Sequence, residues 1–148
     1  MTAVGDLVFV DTNVLLYVLD STDPRKQAAA REWVEALWSS GHGRLSWQVL
    51  NEYYENAVRK LRGPAKVVRS TVEGYAEWGL AEWNLSLLRR GWHWTDQADV
   101  SYWDSLIVAA AETTGCRYLL SEDFQEGRSF GSVQVINPFH TEPAAIRA

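Results

Sequence analysis

The chain has 148 residues, 47% of them hydrophobic, and a formal net charge of -5, which suits one domain with a real core and argues against a broad phosphate-binding surface. No apolar run approaches the roughly 18 residues of a membrane span, and no basic start leads into an apolar segment, so the expectation is one soluble cytoplasmic domain over 1–148. The single cysteine, Cys116, excludes an intramolecular disulfide, gives no sign of a Cys/His zinc site, and lies in an apolar stretch where burial is expected.

Leu7-Val8-Phe9-Val10 is a continuous apolar run, the pattern of a strand buried on both faces of a parallel sheet, and Asp11 ends it. Asn13 to Leu19 has helical character. A second helix follows Pro24, suited to a first turn, through Ala28, Trp33 and Leu37 to Gly41 and Gly43. A short strand at Arg44 to Trp47 leads into a helix whose apolar positions Leu50, Tyr54, Ala57 and Leu61 recur at helical spacing, closed by Gly63-Pro64. Ala65 to about Arg90 reads as helical, with Gly74 and Gly79 allowing two shorter helices, and a polar stretch from Thr95 to Asp99 follows. Tyr102 to Thr114 is a helix apolar all round from Leu106 to Ala111, which predicts burial, and Gly115 stops it. Arg117 to Ser121 and Val133 to Ile136 are the last strands. Strands alternating with helices give an α/β fold with a parallel, right-handed sheet.

Four acids stand where chemistry is possible. Asp11 directly follows a buried strand, at the carboxyl edge where open α/β sheets bind ligands, and it is equally placed to cap the next helix. Asp123 follows Tyr118-Leu119-Leu120 in the same way, although a turn residue would look alike. Asp104 sits in the first turn of the buried helix, where the dipole favours an anion and a cation would offset the burial of a charge. Glu52 falls opposite the Leu50, Tyr54, Ala57 and Leu61 stripe, so periodicity alone makes it a surface glutamate. Taken together, oxygen-only ligands select hard cations such as magnesium or manganese (Mg2+ or Mn2+), and such an ion can acidify a water for attack on a phosphodiester.

Four segments in order carry a resemblance. They are Phe9-Val10-Asp11-Thr12-Asn13-Val14-Leu15, Leu45 to Tyr54 around Glu52, Ser101-Tyr102-Trp103-Asp104-Ser105-Leu106-Ile107, and Leu119 to Gly127 around Asp123. The chain resembles PIN-domain proteins, and among them the VapC toxins of type II toxin-antitoxin pairs. The resemblance implies a three-layer sandwich, with a central parallel sheet of four to five strands flanked by helices. It implies that Asp11, Glu52, Asp104 and Asp123 are catalytic and hold one or two magnesium or manganese ions to hydrolyse RNA. Thr12, Asn13 and Ser121 match positions that hold the acids or a water. It further implies a homodimer and a cognate antitoxin that covers the acidic pocket. The middle, Ala65 to Asp99, aligns only loosely.

Eight tryptophans are many for this length. Trp92 and Trp94 flank His93 beside Arg89 and Arg90; exposed, the indoles would stack bases, while core packing is the ordinary use of such rings. Three rival classes differ in their demands. A haloacid-dehalogenase-type phosphatase needs an acid two residues after the first, where Asn13 stands, and a receiver domain needs a late lysine, yet none follows Lys66. A magnesium-binding regulatory module or binding-only PIN domain would retain the acids without cleaving.

Overall fold

The computed structural model describes residues 5–146. β1 (Val8–Val10) has all three side chains fully buried, and Asp11 caps α1 (Thr12–Leu19) after it. Asp23 accepts a hydrogen bond from the Lys26 N–H at 3.1 Å to start α2 (Pro24–Ser40), which ends on Gly41 at a left-handed φ of 73°. β2 (Gly43–Ser46) runs into α3 (Trp47–Arg59), capped by Ser46, and α4 (Ala65–Tyr75) follows. Then come β3 (Gly79–Ala81), α5 (Leu85–Gln97) capped by Asn84, α6 (Tyr102–Thr113) capped by Ser101, and β4 (Tyr118–Leu120). β5 (Ser129–Phe130), β6 (Val133–Ile136) and a 3-10 turn at Pro143–Ile146 complete the described residues. No helix among them is long and apolar enough to cross a membrane.

The sheet has six strands in the order β3-β2-β1-β4-β6-β5, all parallel except β5, which is antiparallel to β6. The expected four to five strands are therefore two short of the mark at the low count. β3 and β5 are the additions, three and two residues long and both at sheet edges. The segment read as helical from Ala65 to Arg90 is α4, then an edge strand, then the start of α5. The polar stretch expected from Thr95 to Asp99 is helical as far as Gln97.

Topology decides where a ligand can sit. From β1 the chain steps outward to β2 and β3 through α1 to α4, then returns across the sheet to β4 through α5 and α6. Right-handed crossovers taken in opposite directions put these two helix groups on opposite faces, and the order reverses between β1 and β4. α6 fills its face as predicted, with Ser105 to Ala111 buried without a break.

The stripe on α3 is corrected: the buried residues are Val49, Leu50, Tyr53 and Ala57, while Tyr54 is only half-buried. Moving the stripe from Tyr54 to Tyr53 turns Glu52 from the solvent face to the flank of the buried one. Cys116 is buried as expected. At Gly43 the backbone of β2 lies against the Trp78 indole, which packs edge-on to Trp38 and Tyr75 at 5.5 Å from each. A Cβ there would overlap the ring. Gly43→Ala is expected to cost about 1–3 kcal/mol, read as a lowered denaturation midpoint with an unchanged slope.

Candidate metal centre

The parallel strands deliver their carboxyl ends to one edge, and the acids stand along it. Asp11 follows β1 and is 6% exposed. Its Oδ1 accepts from the Thr12 N–H at 2.8 Å, and its Oδ2 accepts from the Ser121 hydroxyl at 2.7 Å and the Asn13 amide at 3.2 Å. The two sequence readings of Asp11, helix cap and site acid, are thus compatible in one side chain. Burial pushes its carboxyl up from the ordinary 3.8 to about 7, and the charges of Asp123 and Glu52 push the same way, against the Ser121 and Thr12 hydrogen bonds.

Ser121, just past β4, is the hub on the neighbouring strand. It is fully buried, donates to Asp11, and accepts from the Asn13 amide at 3.2 Å and the Asp123 N–H at 3.1 Å. The same Asn13 amide donates to Asp123 Oδ2 at 3.0 Å, and its Oδ1 accepts from the Glu122 N–H at 3.2 Å. Asn13 therefore fastens the loop after β4 to the start of α1. Glu122 fastens it again from outside, through Lys26 at 2.9 Å and the Tyr17 hydroxyl at 3.1 Å.

Glu52 reaches the edge from α3. Its Oε2 accepts from the Thr12 hydroxyl at 2.7 Å and its Oε1 from the Gln48 amide, one helical turn back, at 3.1 Å. Asp104 comes from the first turn of α6, where its N–H donates to the Ser101 hydroxyl at 3.1 Å. Partial burial raises the Asp104 carboxyl, and again the charges of Asp123 and Glu52 add to the rise. Asp11 and Asp104 thus feel the same two neighbours, which places all four acids in one electrostatic group.

As the side chains stand, no three acidic, histidine or cysteine groups among the described residues converge closely enough to hold an ion. The hydrogen bonds give the reason: each of three carboxylates is turned towards a neutral donor, Asp11 to Ser121, Glu52 to Thr12 and Gln48, Asp123 to Asn13. The chemistry of the set still fits a hard divalent cation. All the donors are oxygens, and a desolvated Asp11 beside two like charges is a carboxylate that a cation would return to its ionised form.

Sequence reasoning missed Gln48, Ser101 and the Lys26–Glu122 pair as supports. The first two carried signals: Gln48 lies four residues before Glu52, and Ser101 lies three before Asp104 at the start of an apolar helix. Of the two tryptophans after Arg90, Trp92 is 48% exposed and Trp94 is packed. Trp94 donates its indole N–H to Glu112, which also takes two hydrogen bonds of 3.0 Å from Arg90, and packs edge-on to Phe130 at 5.4 Å.

No curated protein sequence matches the chain at a significant level. Solved structures do. It is similar to the Mycobacterium tuberculosis toxin VapC20, described as cleaving the sarcin-ricin loop, at 21% identity and a TM-score of 0.58 over 76% of this chain and 86% of that one. A toxin-antitoxin complex from Klebsiella pneumoniae gives a TM-score of 0.64 at 15% identity, covering 88% and 97% of the two chains. DNA-bound VapBC from Salmonella typhimurium gives 0.60 at 13% identity, covering 87% and 96%. The PIN domain family model matches residues 8–125, from the first residue of β1 to just beyond Asp123, so it spans all four acids. The match covers well over half of the chain, and the chain belongs to the PIN domain family.

Proposed function

We propose that this chain, as a single nuclease domain over 1–148, is a divalent-metal-dependent endoribonuclease and the toxin of a VapBC-type pair. One observation carries the reading: Asp11 is buried at the switch point of the sheet, where the charges of Asp123 and Glu52 act on it. A carboxylate so placed is costly without a counter-charge. Asp11, Glu52, Asp104 and Asp123 would hold magnesium or manganese. When bound, the ion supplies Lewis-acid chemistry, acidifying a water and neutralising charge at the phosphodiester.

The chain's own residues supply order. Ser121 fixes the Asp11 rotamer, Asn13 ties Asp11 to Asp123, and Thr12 and Gln48 aim Glu52. These contacts orient acids rather than react, the part that outer partners play at metal sites. No side chain need act as nucleophile. The acidic balance of the chain becomes a condition: without a cation the crevice repels RNA, and with one it attracts a phosphate.

The toxin reading draws on the likeness to proteins solved as toxin-antitoxin complexes. On that reading a cognate antitoxin silences the crevice by covering it, and the toxin forms a homodimer. Purified protein incubated with total RNA should cleave it in manganese and not in a chelator. Equal cleavage in the chelator would sink the metal mechanism, and no cleavage in manganese would sink the nuclease. Expression should arrest growth, and co-expression of a neighbouring open reading frame should relieve the arrest.

A further inference from the structure

At the carboxyl edge of the sheet, Asp11 and Asp123 stand on the side of β1 and β4. On the other side, β3 and β2 end in aromatic residues: Trp47 directly follows Ser46 of β2, and Trp83 lies two residues past Ala81 of β3. Ser46 and Ala81 are register partners, so the two strands end level with each other. Trp103, the neighbour of Asp104 on the first turn of α6, completes a third wall. The three indoles surround an open groove of about 690 Å³ with Gln48, Asn51 and Glu52. They are 49%, 51% and 59% exposed.

Half-exposed indoles gathered round one groove are an uncommon use of surface, and such patches mark binding sites. The groove's chemistry narrows the occupant. None of its lining residues is a lysine or arginine, so it is not built to hold a phosphate. Its polar groups favour a donor. The Gln48 amide N–H2 is spent on Glu52 and on the Trp103 carbonyl at 3.2 Å, and that of Asn51 donates to the Trp47 carbonyl at 2.8 Å. Both carboxamide oxygens therefore remain as acceptors. A flat π-face that also carries N–H donors matches this lining, and in an RNA strand that is the nucleobase.

Continuity with the acidic crevice fixes which base. Glu52 lines the groove with one flank and reaches Thr12, the neighbour of Asp11, with its Oε2. Gln48 bonds both Glu52 and the backbone of Trp103, so the same amide braces an acid and an aromatic wall. We propose that Trp47, Trp83 and Trp103 form a nucleobase-stacking subsite that seats an unpaired base of single-stranded RNA next to the phosphodiester at the acids. The proposal rests on the ribonuclease reading. It assigns substrate recognition to α3, the β3–α5 turn and α6, and not to the Trp92-His93-Trp94 segment.

The test reads binding apart from cleavage. Affinity for a short single-stranded RNA is measured in calcium, whose loose oxygen shell bridges carboxylates and phosphate, with the RNA checked for intactness. Cleavage is measured separately in manganese. Trp83→Ala and Trp103→Ala should each weaken binding about tenfold or more, the loss of one stacked base. They should raise KM with little change in kcat, Trp83→Phe should restore most of the affinity, and an RNA with an abasic site at the seated position should bind the wild type and Trp83→Ala alike. Wild-type affinity in both alanine variants overturns the subsite, even if the protein cleaves RNA. If those variants keep RNA affinity and instead lose self-association in sedimentation, the groove is an interface between copies and the proposal fails. Failure of the wild type to cleave in manganese, with affinity still dependent on the indoles, overturns the nuclease reading and leaves an RNA-binding groove.

Discussion

Asp104→Asn should give a folded protein whose metal-dependent RNA cleavage has fallen by on the order of 1,000-fold, since outer partners of a metal alone cost about 10–100-fold. The substitution is clean for a structural reason. The backbone N–H of Asp104 donates to the Ser101 hydroxyl, a bond the asparagine keeps, and an amide oxygen can still accept from Ser101 where the carboxylate did. Its side chain is half-buried, and loss of its charge relieves the repulsion from Asp123 and Glu52. The thermal midpoint should therefore be unchanged or slightly raised while activity disappears. Asp11→Asn is a harsher change, because three donors, Thr12 N–H, Ser121 hydroxyl and Asn13 amide, converge on that carboxylate. An amide N–H2 cannot accept from them. Full activity in Asp104→Asn would remove that residue from the machinery.

The metal-free protein should lose stability as pH rises from 5 to 8, and manganese should restore it at pH 8 far more than at pH 5. Folded, Asp11 keeps its proton up to about pH 7; unfolded, it releases it near 3.8. Between those values the folded state binds more protons, so stability falls as pH rises. From pH 5 to 8 the effect is about 3 kcal/mol, or roughly 5–10 °C in Tm for a chain of this size. Asp104, raised for the same reasons, adds in the same direction. Asp20, held low by hydrogen bonds from Thr22, acts below this window, and Cys116, pushed up to about 11 by burial, acts above it. A cation that binds the ionised acids of the folded state stabilises it by mass action, and does so best where no proton must be displaced. Calorimetry at the two pH values, with and without manganese, decides it. A pH slope unchanged in Asp11→Asn, or a pH 8 midpoint indifferent to manganese, would show that Asp11 does not carry the effect.

How far the sequence reaches depends on how much of an element's environment is local. β1 and Asp11 were legible because a strand buried on both faces leaves an uninterrupted apolar run, and the residue ending it marks the sheet edge. α6 was legible for the same reason, and its first-turn acid came with it. β3 was not, since a three-residue edge strand starting at Gly79 is held by pairing with β2 and has no pattern of its own. β5 has two residues and exists through its hairpin with β6. Glu52 was misplaced by helical phase: a buried set of Val49, Leu50, Tyr53 and Ala57 in place of Leu50, Tyr54, Ala57 and Leu61 turns the centre of the α3 face by roughly 50°, enough to bring Glu52 from the opposite side to its flank. Only the family resemblance put Glu52 with the other acids. The hydrogen bonds that join Asn13 to Ser121 and Asp123 span more than 100 residues of chain, and no spacing rule reads across such a gap.

Between the end of β3 at Ala81 and the cap of α5 at Asn84 stand just Glu82 and Trp83. Asn84 serves the helix by accepting from the Leu87 N–H at 3.0 Å, and Glu82 braces Asn84 in turn at 3.2 Å. Trp83 has no capping duty in this turn, stands 51% exposed, and takes part in none of the hydrogen bonds that orient the acids. With the base seated as proposed, Trp83 gives target choice one address apart from the acids that break the bond. One position can be exchanged, by selection or by design, to retune which RNA is cut while the cutting parts stay as they are.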